Sequence, residues 1–233
     1  MKAAILQSSY IPWKGYFDII NDVDIFCFYD EVKYTKNDWR NRNKIYSGNG
    51  LQWLTIPIPK QAVKLKIAEV EIHDNKWQEL HYKMLQSAYG GAPYYSQLGN
   101  FIDLIYRQNN WQNLSDLNRF IIKLISEYLG IKTKFVNSSE FKLRGDRVER
   151  LINILKDLGT DEYLSGPAAK DYLTGHEHLF EDNNIVLKYK DYSGYKPYKQ
   201  LAEPFEHFVS IFDMIANIEQ NEINTHIWGL KNG

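Results

Sequence analysis

Residues 2–29, KAAILQSSYIPWKGYFDIINDVDIFCFY, carry a strand-helix-strand pattern from which the rest of the fold follows. The apolar run Ala3-Ala4-Ile5-Leu6 places a buried strand over residues 2–7. Trp13 to Asn21 then reads as a short helix, and Asp24 to Tyr29 as a second apolar strand. Two apolar strands joined through a helix make a βαβ unit, in which the strands are parallel neighbours. The expected fold class is α/β: an open, mainly parallel, doubly wound (Rossmann-like) sheet with a β-hairpin insertion and added helices. Such sheets bind ligands outside the carboxyl ends of their strands, where strand order reverses. The exits at Gln7 to Trp13, at Asp30 and at Ser165-Gly166-Pro167 are therefore expected to meet around one crevice.

Beyond this unit, Asn43 to Tyr46 and Leu51 to Ile58 flank Ser47-Gly48-Asn49-Gly50, a turn composition that predicts a hairpin ended by Pro57 and Pro59. Residues 67–72 alternate apolar and polar like a half-buried strand. His73-Asp74-Asn75 caps a helix from Lys76 to Tyr89, which Gly90-Gly91-Ala92-Pro93 breaks. Further helices are expected over 95–107 and 114–129, the second with Leu117, Phe120, Ile121, Leu124, Ile125 and Leu129 on one face. A strand at 132–136, a helix at 147–158, strands at 162–165 and 185–189, and a terminal helix around 209–218 complete the reading. One α/β domain, 1–233, is expected, its helical segment at about 95–130 placed either over the site or as a partner surface.

The chain has 233 residues, with Lys+Arg 28 against Asp+Glu 29. Near-neutral charge gives no long-range pull toward nucleic acid or acidic membrane, so neither nucleic-acid binding nor membrane insertion is expected. No apolar run approaches the roughly 18 residues of a spanning helix, and no signal peptide precedes the first strand. The single cysteine, Cys27, sits among apolar residues and can form no internal disulfide, which suits a reducing cytoplasm.

Candidate site residues cluster at the strand exits. Arg40 and Arg42 flank Asn41; on an extended segment residues i and i+2 share a face, so both guanidinium groups would grip one diphosphate or carboxylate. Two solvated arginines on an exposed strand are the plain alternative. Tyr10, Trp13 and Tyr16 offer flat faces for a sugar or base, or else for ordinary packing. Gln7, Ser8, Ser165 and Gly166 would contact a polar ligand or satisfy turn backbone. For a general base, Asp30 is the first choice and Asp213 the second. His176 and His178 lack a third ligand at a metal-binding interval, so no metal is expected. No Gly-x-Ser-x-Gly elbow occurs and buried Cys27 is a poor nucleophile, which argues against a covalent acyl-enzyme.

Together, Gln7, the run Tyr10 to Phe17, Asp30, Asp38-Trp39-Arg40-Asn41-Arg42-Asn43 and Trp53 to Pro57 resemble the WbqC-like protein family. Trp77, Tyr89, Tyr163-Leu164-Ser165-Gly166, Tyr172, Tyr198 with Gln200 and Ser210-Ile211-Phe212-Asp213 extend the resemblance over almost the whole chain. The sequence departs in having Gln7-Ser8 where Gln-Pro is common, and Lys33 where a glutamine is common. The resemblance implies a setting in bacterial surface polysaccharide (O-antigen or capsule) biosynthesis. It suggests acyl or aminoacyl transfer to an amino group of a nucleotide-linked sugar, with acyl-CoA, or ATP plus a carboxylic acid, as donor. The ATP variant rests on fold analogy, since no His-x-x-His follows the first strand. The alternative is a non-catalytic glycan or nucleotide-sugar binding protein serving such a pathway.

Overall fold

A computed structural model describes residues 1–228; the last five residues of the expected 1–233 unit lie outside the described residues. The opening forms β1 (Lys2–Leu6), α1 (Lys14–Asn21) and β2 (Ile25–Phe28). A hairpin of β3 (Arg42–Ser47) and β4 (Gly50–Thr55) follows. Next come α2 (Lys76–Tyr89), α3 (Tyr95–Tyr106) and α4 (Leu114–Tyr128). The chain returns to the sheet through β5 (Lys134–Asn137), α5 (Arg147–Asp157) and β6 (Glu162–Ser165). Short helices α6 (Lys170–Leu173) and α7 (Glu177–Glu181) lead to β7 (Val186–Tyr189), and α8 (Ile211–Asn217) and α9 (Gln220–Ile227) close the described chain.

The strands β5-β2-β1-β6-β7 form a sheet in that order, every pairing parallel, beside the antiparallel hairpin. Alternate side chains of β1 and β2 enter two cores. Ala4, Phe26 and Phe28 face one, with Phe17, Ile19 and Ile20 of α1 and Leu117 and Ile121 of α4. Ala3, Ile5, Ile25 and Cys27 face the other, with Val148, Leu151, Ile152 and Leu155 of α5 and Phe180 of α7. The connections from β1 out to β5 thus cover one face and those from β5 to β7 the other. Strand order reverses between β1 and β6, which makes the carboxyl ends of these two strands the switch point of a doubly wound sheet. The expected α/β class and the hairpin are both found.

The structure adds the short helices α6 and α7, which the sequence reading did not contain, and it differs from that reading at residues 67–72 and after α8. Residues 67–72 do not form a strand: Ile67–Glu69 is a short 3-10 helix, and beyond it there is only an isolated bridge between Glu71 and Asn113. Ile67 and Val70 are both buried, a spacing of three that fits one 3-10 turn, and the Glu69 carboxylate accepts from the Lys66 amide at 2.9 Å. After the terminal helix, α9 adds a second one, whose Ile223 and Ile227 are buried at an i, i+4 spacing. Among the described residues, no helix is long and apolar enough to cross a membrane.

Candidate functional site

A cavity of about 1080 Å³ opens at the switch point. Its lining comes from three places: the β1 exit (Gln7, Ser9, Trp13, Tyr16), the start of α5 (Arg147, Arg150) and the β6 exit (Ser165, Gly166, Tyr172). Arg40, Trp39, Tyr29, Tyr192 and Phe208 add to the walls, as do the charged residues Lys33, Asp146 and Asp171. Of the residues singled out in the sequence, Gln7, Trp13, Tyr16, Arg40, Ser165 and Gly166 meet here. None of the lining residues lies between 95 and 130.

The β1 exit is a strained turn. Ile11 has φ 35°, a left-handed conformation that a β-branched residue avoids. It is held by Asn43, whose Nδ2 donates to the carbonyls of Tyr10 (3.1 Å) and Ile11 (2.9 Å), and by the Tyr10 amide donating to the Trp39 carbonyl at 2.9 Å. The turn sets Trp13 edge-on to Tyr192, 5.1 Å between ring centroids, and beside Phe208 at 5.3 Å. Gly15 is required there, because a Cβ would lie 2.3 Å from the Trp13 ring. Gly15→Ala is expected to push Trp13 out of the wall, at a cost of about 0.5–1.5 kcal/mol for each aromatic pair broken. Near-ultraviolet circular dichroism should change while the far-ultraviolet spectrum stays the same.

Arg40 is oriented by the strand exit itself: its Nη1 donates to Gln7 Oε1 at 2.8 Å. Asp38 stands 3.7 Å from Nη2, too far for a tight pair, and the Arg40 Nε is buried with no hydrogen-bond partner. Burial raises the Asp38 carboxyl, but Arg40, the Thr35 hydroxyl and the Trp39 amide outweigh it and hold the group below its usual range. Arg42 does not join Arg40. Its Nη2 donates to the Asn37 carbonyl at 2.6 Å, and its guanidinium lies 4.2 Å from the Trp53 ring centroid. Residues i and i+2 share a face only on an extended segment, and β3 begins only at Arg42. Asn41, between them, donates to the Ile56 carbonyl at 2.8 Å and is buried.

Other candidates lie away from the cavity. The Asp30 carboxylate is fully buried and enclosed by the Ser8 amide (2.8 Å), the Ser115 hydroxyl and Arg119, whose Nε and Nη2 both stand at 2.9 Å. Ser115 and Arg119 are four residues apart on α4, hence on one face, and Asn118 of the same helix donates to the Arg40 carbonyl at 2.8 Å. Asp30 therefore ties α4 to the strand exits. Ser8 is buried in the same junction. Tyr10 is fully buried, its hydroxyl hydrogen-bonded with His81 Nδ1 (2.8 Å) and the Tyr106 hydroxyl (2.5 Å). Burial holds the His81 imidazole neutral, its pKa lowered to about 4. Burial also pushes the Cys27 thiol far up, which removes it as a nucleophile.

Asp213 lies on α8, whose first amide donates to the Pro12 carbonyl at 3.0 Å. Its Oδ1 accepts from the Tyr198 hydroxyl (2.7 Å) and from Gln200 Nε2 (2.9 Å). Burial raises its pKa to about 6, and burial lowers that of neighbouring Lys14 to about 8. Between about pH 4 and 6 the folded protein keeps a proton on Asp213 that the unfolded chain has released. This contribution to stability is complete below about pH 4 and is lost as the pH rises through about 6. Asp213→Asn is expected to flatten the fall in stability across that window, as read by urea midpoints at each pH. Lys14 acts in a separate window: above about pH 8 the folded form has lost a proton that the unfolded chain keeps, so stability rises.

Arg147, Arg150, Tyr29, Tyr192 and Phe208 were not singled out in the sequence, and Tyr172 was noted only for the family resemblance, not as a site residue. A sequence signal that could have drawn attention to the start of α5 is the Asp146-x-x-Glu149 capping box: Asp146 Oδ1 accepts from the amides of Val148 (2.8 Å) and Glu149 (2.9 Å), and Glu149 returns a bond to the Asp146 amide. It positions the two arginines at the cavity rim. Among the described residues, no group of three or more His, Cys, Asp or Glu could hold a metal ion.

The model of the WbqC-like protein family matches residues 7–225. An uncharacterized protein of Mycobacterium tuberculosis, Rv1507c, is 42% identical over 218 residues, covering 93% of this chain and 94% of its own length. No solved structure matches the chain. With the family pattern running from the β1 exit to the last described helix, the chain belongs to the WbqC-like protein family.

Proposed function

We propose that the chain transfers an acyl or aminoacyl group to the amino group of a nucleotide-linked sugar, in the assembly of a bacterial surface polysaccharide. The observation that carries this reading is Arg40 held on Gln7 at the switch point, beside the aromatic walls Trp13, Tyr16 and Phe208. A guanidinium oriented at the cavity wall suits the diphosphate of such a nucleotide-linked sugar. The aromatic faces suit its sugar or base.

In the transfer, the sugar amine attacks the acyl carbonyl carbon, the new C–N bond forms, and the leaving group departs with the electron pair of the broken bond. The amine proton then needs an acceptor. Asp30 and Asp213 are enclosed away from the cavity, whereas Asp146 and Asp171 line it. Asp146 caps α5, so Asp171 on α6 is the carboxylate assigned to the proton. Holding the two reactants together supplies most of the rate enhancement.

That both favoured carboxylates lie off the cavity supports the second reading, a nucleotide-sugar binding protein without chemistry. Incubation of a nucleotide-linked 4-amino sugar with acetyl-CoA, or with ATP and an amino acid, followed by mass spectrometry separates the two. A product heavier by the acyl group, lost in Asp171→Asn, supports transfer. An unchanged sugar that nevertheless binds supports the binding protein.

A further inference from the structure

The proposed transfer requires two ligands, and the cavity has two cationic ends on opposite faces of the sheet. One end, on the face covered by α1, holds Arg40 with Trp13. The other, on the face covered by α5, holds Arg147 and Arg150 with Tyr29 and Tyr172. The Arg147 guanidinium lies over Tyr172, 3.3 Å from the ring centroid, and Arg150 Nε donates to the Gly145 carbonyl at 3.0 Å.

The two arginines occupy an unfavourable place for cations. They sit in the opening turns of an 11-residue helix, at the positive end of its dipole. The acidic residues of that turn are spent on its backbone, since Asp146 and Glu149 form the capping box. Among the described residues, no carboxylate stands within ion-pair distance of either arginine, whereas Arg119 is paired with Asp30. Asp146, within Coulombic reach of Arg150, and Asp171 line the same cavity, but neither is ion-paired with an arginine. Two guanidinium groups that face a cavity without an ion-pair partner, one of them laid on an aromatic ring, suit an anionic ligand.

The size of the cavity agrees. About 1080 Å³ lies at the upper end of the range of about 300–1,000 Å³ usual for ligand pockets, which leaves room for a phosphate-bearing group beside a sugar nucleotide. Resting on the transferase reading, we propose that the Arg147–Arg150 end binds a phosphate group of the acyl donor while the sugar nucleotide occupies the Arg40 end, so that both substrates are held in one ternary complex. ATP and coenzyme A are the two donor chemistries that carry such a phosphate.

The test is calorimetric titration of the full chain with ATP and, separately, coenzyme A, each with and without a saturating nucleotide-linked 4-amino sugar. One probe is expected to bind with a stoichiometry of one whether or not the sugar nucleotide is present, and which of the two does so identifies the donor. The double variant Arg147→Gln, Arg150→Gln should lose at least tenfold in affinity for that probe and keep its sugar-nucleotide affinity within twofold. Arg144→Ala, outside the cavity lining, is the control for net charge and should change neither. Undiminished probe affinity in the double variant, competition between probe and sugar nucleotide, or silence of both probes on the wild type would overturn the proposal. If a probe binds through Arg147 and Arg150 but no sugar nucleotide binds, the second anion site stands and the transferase reading falls.

Discussion

Asp30→Ala is expected to destabilise the protein by about 3–5 kcal/mol, the cost of breaking a buried ion pair by removing one partner. The Asp30 carboxylate is fully buried and the Arg119 side chain is 16% exposed, so the orphaned guanidinium would have little access to water. The Ser8 amide and the Ser115 hydroxyl would lose their acceptor at the same time. The measurement is the urea midpoint at constant m-value. Asp30→Asn keeps an acceptor for the Ser8 amide and should cost less. If Asp30 were instead a solvent-facing base, alanine would leave the midpoint unchanged, and asparagine would abolish turnover without a change in stability.

Arg40→Ala carries the second large effect, on binding. A hydrogen bond to a charged group contributes about 1.5–3 kcal/mol, so removing one such bond to a diphosphate corresponds to a ten- to hundredfold weaker sugar nucleotide. Gln7→Ala should produce a smaller loss of the same kind, because Gln7 Oε1 fixes the guanidinium without being charged. Arg42→Ala should leave binding unchanged, since Arg42 is committed to the Asn37 carbonyl and the Trp53 ring. The pair of variants thereby distinguishes a clamp built from Arg40 alone from the two-arginine clamp that the Arg-Asn-Arg spacing suggested.

The parts of the fold legible in the sequence are those encoded locally. Apolar runs at 3–6 and 25–28 around a short helix announce a βαβ unit, and Gly48-Asn49 between apolar strands announces the hairpin; both are present with close to the expected bounds. The switch point followed from that local reading plus a topological rule, and it located the cavity. What escaped depended on distant partners. Asp30 reads as a strand-exit carboxylate until Arg119, 89 positions later, arrives on α4. Tyr10 reads as a stacking platform until His81 and Tyr106 take its hydroxyl. Arg147 and Arg150 read as ordinary helix-surface cations, because nothing local reveals that α5 begins at the rim of a cavity. Ile67 to Ile72 failed for another reason: three buried apolar positions in six residues fit a strand and a 3-10 turn almost equally well.

The proposed transfer requires that the switch-point cavity bind a nucleotide-linked amino sugar, and that it do so through Arg40. Calorimetric titration of the full chain with nucleotide-linked 3-amino and 4-amino sugars, repeated on Arg40→Ala, reads both properties at once. Saturable one-to-one binding of at least one of them, weakened ten- to hundredfold by the substitution, is the predicted result. Absence of binding across the panel, or binding that Arg40→Ala leaves intact, would contradict it.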